Sequence, residues 1–377
     1  MIHSAGICIE SGSTHALHLD AGGMAQWIDT LGLEDRVGLS FIEGSHGGIL
    51  HAALDAEVAA CLAPGLDTLG LRDRVIEPAA GAPRDLEREI LIAMLLSPLG
   101  FRLPSLAELR AAVRIRMNIV HAAQRTALAF DTEQAERPED DWVYAQETGF
   151  TVRPDKDLIT ALVNATQPGD AGKRYSFSCY RATEYILLLA IAQELASSNP
   201  ELMRALQRQW EIRAIMSGEF HEVFLTEYGT LEQPLPLTYF VPGDRVWFRN
   251  PDMTSANAEG YEGSWVFYLG GGLFTNFWKP EHPYTLESKC LELFHWRDGA
   301  FQDRHGVWRV DESVVAERVE RSYEDPEAVG RILAAMQRVR DPRGVYRQGG
   351  CMDATRECAR LVCPGSAQLM LPDAPAR

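Results

Sequence analysis

The sequence predicts an α+β fold, because a long run of helix-like segments precedes a cluster of strand-like ones instead of alternating with them. Apolar residues recur at spacings of three and four in much of the chain as far as Met216. From "GDRVWFRN" onward the period changes. That segment, "SWVFYLG" and "LFTNFWK" are rich in aromatic and β-branched residues and are set off by the turn residues "VPGD" and "GGG".

Residues 1–100 are Ala/Gly/Leu-rich and read as a helical extension. Within it "DTLGLEDRV", from Asp29, is echoed by "DTLGLRDRV", from Asp67, with Gly32 and Gly70 where helices would end. Ser105 and Glu108 form an S-x-x-E capping box, and Leu106, Leu109, Val113, Met117 and Val120 make the apolar stripe of a long amphipathic helix. The charged "DTEQAERPEDD" is expected to be an exposed loop, with helices following around Asp157 to Ala165, Cys179 to Ser197 and Leu202 to Met216. "SWVFYLG" and "LFTNFWK" read as a β-hairpin and "LELFHWRDGAFQDRHGVWRV" as further strands. Asp325 followed by Pro326 marks a helix start ahead of a stripe through Val329, Ile332, Leu333, Met336 and Val339. The final "PGSAQLMLPDAPAR" reads as a poorly ordered tail. A core at 101–310 is thus expected between helical extensions at 1–100 and 311–377.

At 377 residues the chain exceeds the usual single-domain size, so one core with large extensions, or two domains, is expected. A formal charge of -17 argues against nucleic-acid and anionic-membrane partners, which need a surplus of Lys and Arg. "YILLLAIA" falls far short of the roughly 20 apolar residues that span a bilayer. "MIHSAGICIESGST" lacks the basic start and apolar stretch of a secretory signal, so a cytoplasmic location is expected. The 7 cysteines, an odd number, cannot form a complete disulfide framework and read as thiols; the spacing of "CMDATRECARLVC" does not suit structural zinc.

One thiol stands out. In "YSFSCYRATEYILLLAIAQEL", Cys179 begins a helix that is apolar nearly all round and therefore expected to be buried. A thiol at such an N-terminus meets unpaired N–H groups and the positive end of the helix dipole, which favour thiolate and would stabilise an oxyanion. On periodicity alone, however, an inert buried cysteine is the better fit, since cysteine is among the most buried residue types.

The surrounding words favour chemistry. "ELRAAVRIRMNIVHAAQ" resembles "ELKLRMNIVAAAK" of the Bacillus-type spore-coat protein-glutamine γ-glutamyltransferases, the bacterial transglutaminases. "YSFSCYRAT" resembles that family's "YAFECATA", which carries its catalytic cysteine. "PGDRVWFRNPDM" and "EGYEGSWVFYLGGGLF" are similar to "GDCLYFKNPE" and "QWRGENVILLG", in the same order. The resemblance implies a papain-like (NlpC/P60-type) α+β core needing no metal or organic cofactor. It also implies protein partners: Cys179 would form a thioester with a glutamine side chain and pass the acyl group to a lysine amine. Phe220 in "GEFHE" and Tyr261 fall at family tryptophans and, with Trp265, would line an apolar substrate channel.

The sequence departs from the family at three ionisable positions. Ser178, Ser264 and Asn276 stand where the family has two glutamates and a histidine, and neither Ser nor Asn titrates near neutral pH. Ser264 and Asn276 are carried forward as site positions, with Glu262 and His221 as substitute acid and base; His282 follows the hairpin. A cysteine amidase or deamidase and an inactive interaction protein on the same fold remain the competing readings.

Overall fold

The computed structural model describes residues 5–44, 47–75, 84–130, 135–169, 172–340 and 350–372. Residues 131–134 of the expected loop and 373–377 of the expected tail lie outside that set.

The first hundred residues are mixed, not helical. They comprise β1 (Ile7–Ser11), α1 (Thr14–Thr30), β2 (Val37–Gly44), β3 (Gly47–Leu54), α2 (Ala56–Leu62), α3 (Leu71–Val75) and α4 (Asp85–Leu95), followed by β4 (Phe101–Leu103). The four strands form a sheet in the order β2-β3-β1-β4. β3, with two Gly and two Ala in eight residues, gives a weak local signal, and β1 and β4 are only five and three residues long. Pairing of β1 with β3 along Ile7↔Ala52 to Ser11↔Gly48, and packing of Ile7, Ile9 and Leu50 in the core, decide the outcome. Of the two echoed glycines, Gly32 has φ 64 after α1 as a helix end requires, whereas Gly70 directly precedes α3.

The chain continues through α5 (Leu106–Arg125), β5 (Trp142–Ala145), β6 (Gly149–Val152), α6 (Leu158–Thr166), α7 (Cys179–Ser198), α8 (Pro200–Ile212) and α9 (Ser217–Phe224). Then come β7 (Leu225–Tyr228), β8 (Arg245–Arg249), β9 (Gly263–Gly270), β10 (Leu273–Phe274), β11 (Tyr284–Thr285) and α10 (Leu286–Gly299). The hairpin β12 (Ala300–Gln302) and β13 (Trp308–Val310) leads to α11 (Glu312–Ser322), α12 (Pro326–Met336) and β14 (Arg356–Ala359). A six-stranded sheet runs β11-β10-β9-β8-β14-β7.

Against this sheet lies α7, whose residues from Ala182 to Ala192 are all buried, between α5, α6 and β9. The all-round apolar pattern requires this position, because no face of the helix favours water. The expected hairpin is β9–β10, and Gly270, Gly271 and Gly272 all take positive φ in its turn. A Cβ on Gly270 would come within 2.4 Å of the Arg72 guanidinium and 2.6 Å of the Glu89 carboxylate. Those two side chains, bonded to each other at 2.8 Å, brace the turn: Glu89 accepts the Gly271 N–H at 2.7 Å and Arg72 donates to the Leu269 carbonyl at 2.9 Å.

The segment expected to supply more strands instead begins as α10. Thr285 and Ser288 cap it reciprocally, and Cys290, Leu291, Leu293 and Trp296 face the core. Only the β12–β13 part of that expectation holds. Among the described residues no helix is long and apolar enough to cross a membrane.

The described part of 311–377, expected as a helical extension with a poorly ordered tail, does hold α11 and α12 but is also built into the sheet and core, with Val362, Cys363 and Leu369 buried. β14 lies between β7 and β8, pairing Arg356↔Tyr228 to Ala359↔Leu225 on one side and Glu357↔Arg245 on the other. Glu108 anchors the segment after β14. Ser105 caps α5 by accepting the Glu108 N–H at 3.3 Å, but the Glu108 carboxylate does not close the expected capping box. It accepts the Val362 and Cys363 N–H groups at 3.2 and 2.9 Å and the Ser366 hydroxyl at 2.6 Å. Glu108→Ala leaves those N–H groups buried and unpaired, at about 1–3 kcal/mol each. The expected result is a loss of several kcal/mol in urea unfolding and faster proteolysis after Ala359; a variant as stable as wild type would contradict this role.

Candidate active site

Cys179 is the first residue of α7, behind Ser178, whose hydroxyl oxygen caps the helix by accepting the Arg181 N–H at 3.3 Å. The family position before the cysteine therefore holds a cap in this chain. Cys179 is half-buried and opens on a cleft of about 410 Å³. Burial pushes its thiol above the ordinary value, while the Trp265 and Tyr180 backbone N–H groups and the Lys289 and Arg245 charges pull the other way. The helix N-terminus acts in the expected direction, but desolvation outweighs it.

Five aromatic side chains, Phe130, Tyr261, Trp278, Tyr284 and Trp296, form one part of the cleft wall. Phe130 packs edge-on to Trp278 at 5.1 Å and to Tyr261 at 6.2 Å, and Tyr261 packs edge-on to Trp296 at 5.1 Å. Ser264 and Asn276 line the same space. Asn276 is occupied by structure, since its Nδ2 donates to the His282 carbonyl at 3.0 Å and its Oδ1 accepts the Lys279 N–H at 3.2 Å. His282 is exposed at the rim.

The other sequence-derived positions lie elsewhere. Glu262 is exposed and outside the cleft lining. Phe220 is buried in the core against Phe224, with ring centroids 4.7 Å apart. Trp265 packs at a tilt against Trp247, centroids 5.0 Å apart, and carries the Arg245 guanidinium 3.7 Å from its ring centre; it is outside the cleft lining.

His221 belongs to a neighbouring charge network. Its Nε2 lies 3.3 Å from Glu227 and 3.4 Å from Glu357, and Glu357 pairs with the buried Arg245. Arg245 donates to Thr183 Oγ1 on α7 at 2.9 Å, so this chain links His221 to the first turns of the helix that Cys179 begins. His221, Glu227 and Glu357 also place three possible ligand atoms within 4.8 Å of one another. With Glu357 already holding a guanidinium, the donor set suits an ion pair better than a resident metal.

Glu357 raises the His221 pKa above its ordinary value, overcoming the burial that lowers it. The protonated imidazole therefore adds stability that is fully present below the unfolded value near 6.5 and is lost as pH rises through the higher folded value. His221→Gln is expected to flatten the decline in melting temperature from pH 6 upward. A decline as steep as wild type would remove His221 from this linkage.

Several lining residues escape the sequence reading. Lys289 and Glu292 of α10 and Glu312 and Glu320 of α11 enter the cleft with Phe130, Trp278, Tyr284 and Trp296. Their signal is the spacing of Lys289, Glu292 and Trp296, which shares one helix face once the segment is read as helix. A serine–histidine–aspartate arrangement also occurs on α10 and α11. His295 lies 2.6 Å from Asp298 and 2.7 Å from Ser322, but the Ser322 hydroxyl donates to the Arg318 carbonyl at 3.0 Å and is outside the cleft. It ties two helices together.

The family model for protein-glutamine gamma-glutamyltransferase matches residues 71–370, well over half of the 377-residue chain. The chain belongs to that family. A protein-glutamine gamma-glutamyltransferase of Halalkalibacterium halodurans is 28% identical over 171 residues, 44% of this chain and 55% of the relative. The chain thus spans about half the length of that curated relative. A transglutaminase from Geobacillus stearothermophilus, without its C-terminal extension, aligns over 56% of this chain and 96% of its own at 18% identity, with a TM-score of 0.36. In this transglutaminase-family chain the matched region includes α3, α4 and β14, the elements that brace the β9–β10 turn and complete the six-stranded sheet.

Proposed function

We propose that the chain is a cysteine acyltransferase that joins the γ-carboxamide of a protein glutamine to a lysine amine. The observation that carries this reading is the position of Cys179, at the head of a buried helix and open to an aromatic-walled cleft, within a transglutaminase-family chain. A nucleophilic cysteine at a helix N-terminus packed on an antiparallel sheet is also the arrangement that a papain-like core would use.

In the proposed reaction the Cys179 thiolate forms a C–S bond to the carboxamide carbon. The C–N bond breaks, and the nitrogen takes up a proton and leaves as ammonia. A neutral amine then forms a new C–N bond to the thioester carbon, the C–S bond breaks, thiolate returns and the amine's surplus proton goes to solvent. The aromatic wall disfavours water as the competing nucleophile, which favours transfer over hydrolysis.

The test is incorporation of a fluorescent primary amine into a glutamine-rich protein, with ammonia followed in parallel. Incorporation together with ammonia release supports transfer. Ammonia release unaffected by added amine, with no incorporation, would make the protein a deamidase; neither signal would leave a family fold without this chemistry.

A further inference from the structure

The cleft contains a buried cation to which the acyl-transfer reading gives no task. Lys289 is 2% exposed, yet its amine lies in the cleft that Cys179 opens on. It donates to Glu292 Oε2 at 2.7 Å and sits 3.9 Å from the Tyr284 ring centre, and the Tyr284 hydroxyl donates to the other Glu292 oxygen at 3.0 Å. The flexible lysine stem is thereby fixed in one place. A charge held in a desolvated site acts far more strongly on its neighbours than one in water.

We propose that Lys289, positioned by Glu292 and Tyr284, is the fixed positive charge of the cleft and stabilises the thiolate of Cys179. This role rests on the acyl-transfer reading. It answers a deficit of the site, because Ser264 and Asn276, which line the cleft with Cys179, carry no charge near neutral pH. The other charges around the cleft are Lys279 and His282 after β10, Glu292 of α10, and Glu312 and Glu320 of α11; Arg245 of β8 is as buried as Lys289 and also acts on Cys179, but it is outside the cleft lining and is held by Thr183 and Glu357. Lys279, His282, Glu312 and Glu320 are exposed and Glu292 is half-buried, so solvent screens them more than it screens Lys289. The Lys289 charge also acts against the burial that raises the Cys179 thiol.

The test is the rate of Cys179 alkylation by iodoacetamide as a function of pH, read by peptide mass spectrometry on the full chain. Lys289→Met keeps the stem and removes the charge. It is expected to move the profile upward by about one unit, slowing alkylation about tenfold at pH 8. Lys289→Arg should stay near wild type, and Glu292→Gln should move the profile downward, because the carboxylate no longer offsets the ammonium. Opposite shifts from the two neutralising changes are not expected of a purely structural pair. If Lys289→Met does not fold, Glu292→Gln decides alone: a downward shift supports the assignment, and an unmoved profile overturns it. An unmoved profile in folded Lys289→Met likewise overturns it. Alkylation reads the thiolate whether or not an amine is incorporated. Shifted profiles with no amine incorporation by wild type would therefore sink acyl transfer while keeping the charge pairing, and unmoved profiles in an active enzyme would do the reverse.

Discussion

Cys179→Ala is expected to abolish amine incorporation, lowering the rate by roughly 10³-fold or more, because among the described residues no other cysteine lines the cleft. The substitution removes one sulfur from a half-buried position, so unfolding stability should change by about 1 kcal/mol or less. The pairing of large kinetic and small thermodynamic effects separates a nucleophile from a packing residue. Near-wild-type incorporation by a folded Cys179→Ala protein would remove the residue from the chemistry.

Asp244→Ala should have the largest effect on stability. Asp244, at 0% exposure, accepts from Arg116 at 2.7 Å, from the Val241 N–H at 2.8 Å and from the Tyr228 hydroxyl. Burial lowers the Arg116 pKa, and the Asp244 charge and hydrogen bond, together with Tyr228 and Cys358, more than reverse that, leaving it above the usual value. Removing the carboxylate leaves a guanidinium, 4% exposed, without its counter-charge, at a cost of about 3–5 kcal/mol. The pair joins α5 to the turn that enters β8, so the loss should also disturb the sheet against which α7 packs. Asp244→Asn keeps an acceptor and should cost less. Urea unfolding within about 1 kcal/mol of wild type for Asp244→Ala would contradict this assignment.

Helices with strong caps or uniform apolar faces are legible in the sequence. Ser105 starts α5, Asp325 and Pro326 start α12, and the apolar run after Cys179 marks α7 as buried; each signal lies within a few residues of the feature it predicts. β1 to β3 are less legible because β1 is only five residues long, β3 is rich in Ala and Gly, and all three lie among Ala/Gly/Leu-rich flanks, so mutual pairing decides them. α10 is hidden for the opposite reason. Its Leu, Phe and Trp content suggests a strand, while the Thr285–Ser288 cap and the packing of Cys290 and Trp296 specify a helix. That error conceals Lys289 and Glu292, since their common face exists only on a helix. Glu108 looks like half of a capping box, but its partners, Val362, Cys363 and Ser366, are more than 250 positions away in sequence. For the cleft, Cys179, Ser264, Asn276 and Tyr261 are legible from motif words, whereas Phe130, Trp278 and Tyr284 converge only through the tertiary fold.

The central claim is that Cys179 carries an acyl group. The direct measurement is intact-mass and peptide mass spectrometry of the protein after brief incubation with a glutamine-containing peptide and quenching in acid. The expected result is an adduct of the peptide mass less ammonia on Cys179, released by hydroxylamine, discharged by added alkylamine and missing from Cys179→Ala. An adduct at another residue, or unmodified Cys179 in a preparation that releases ammonia from the peptide, would contradict it.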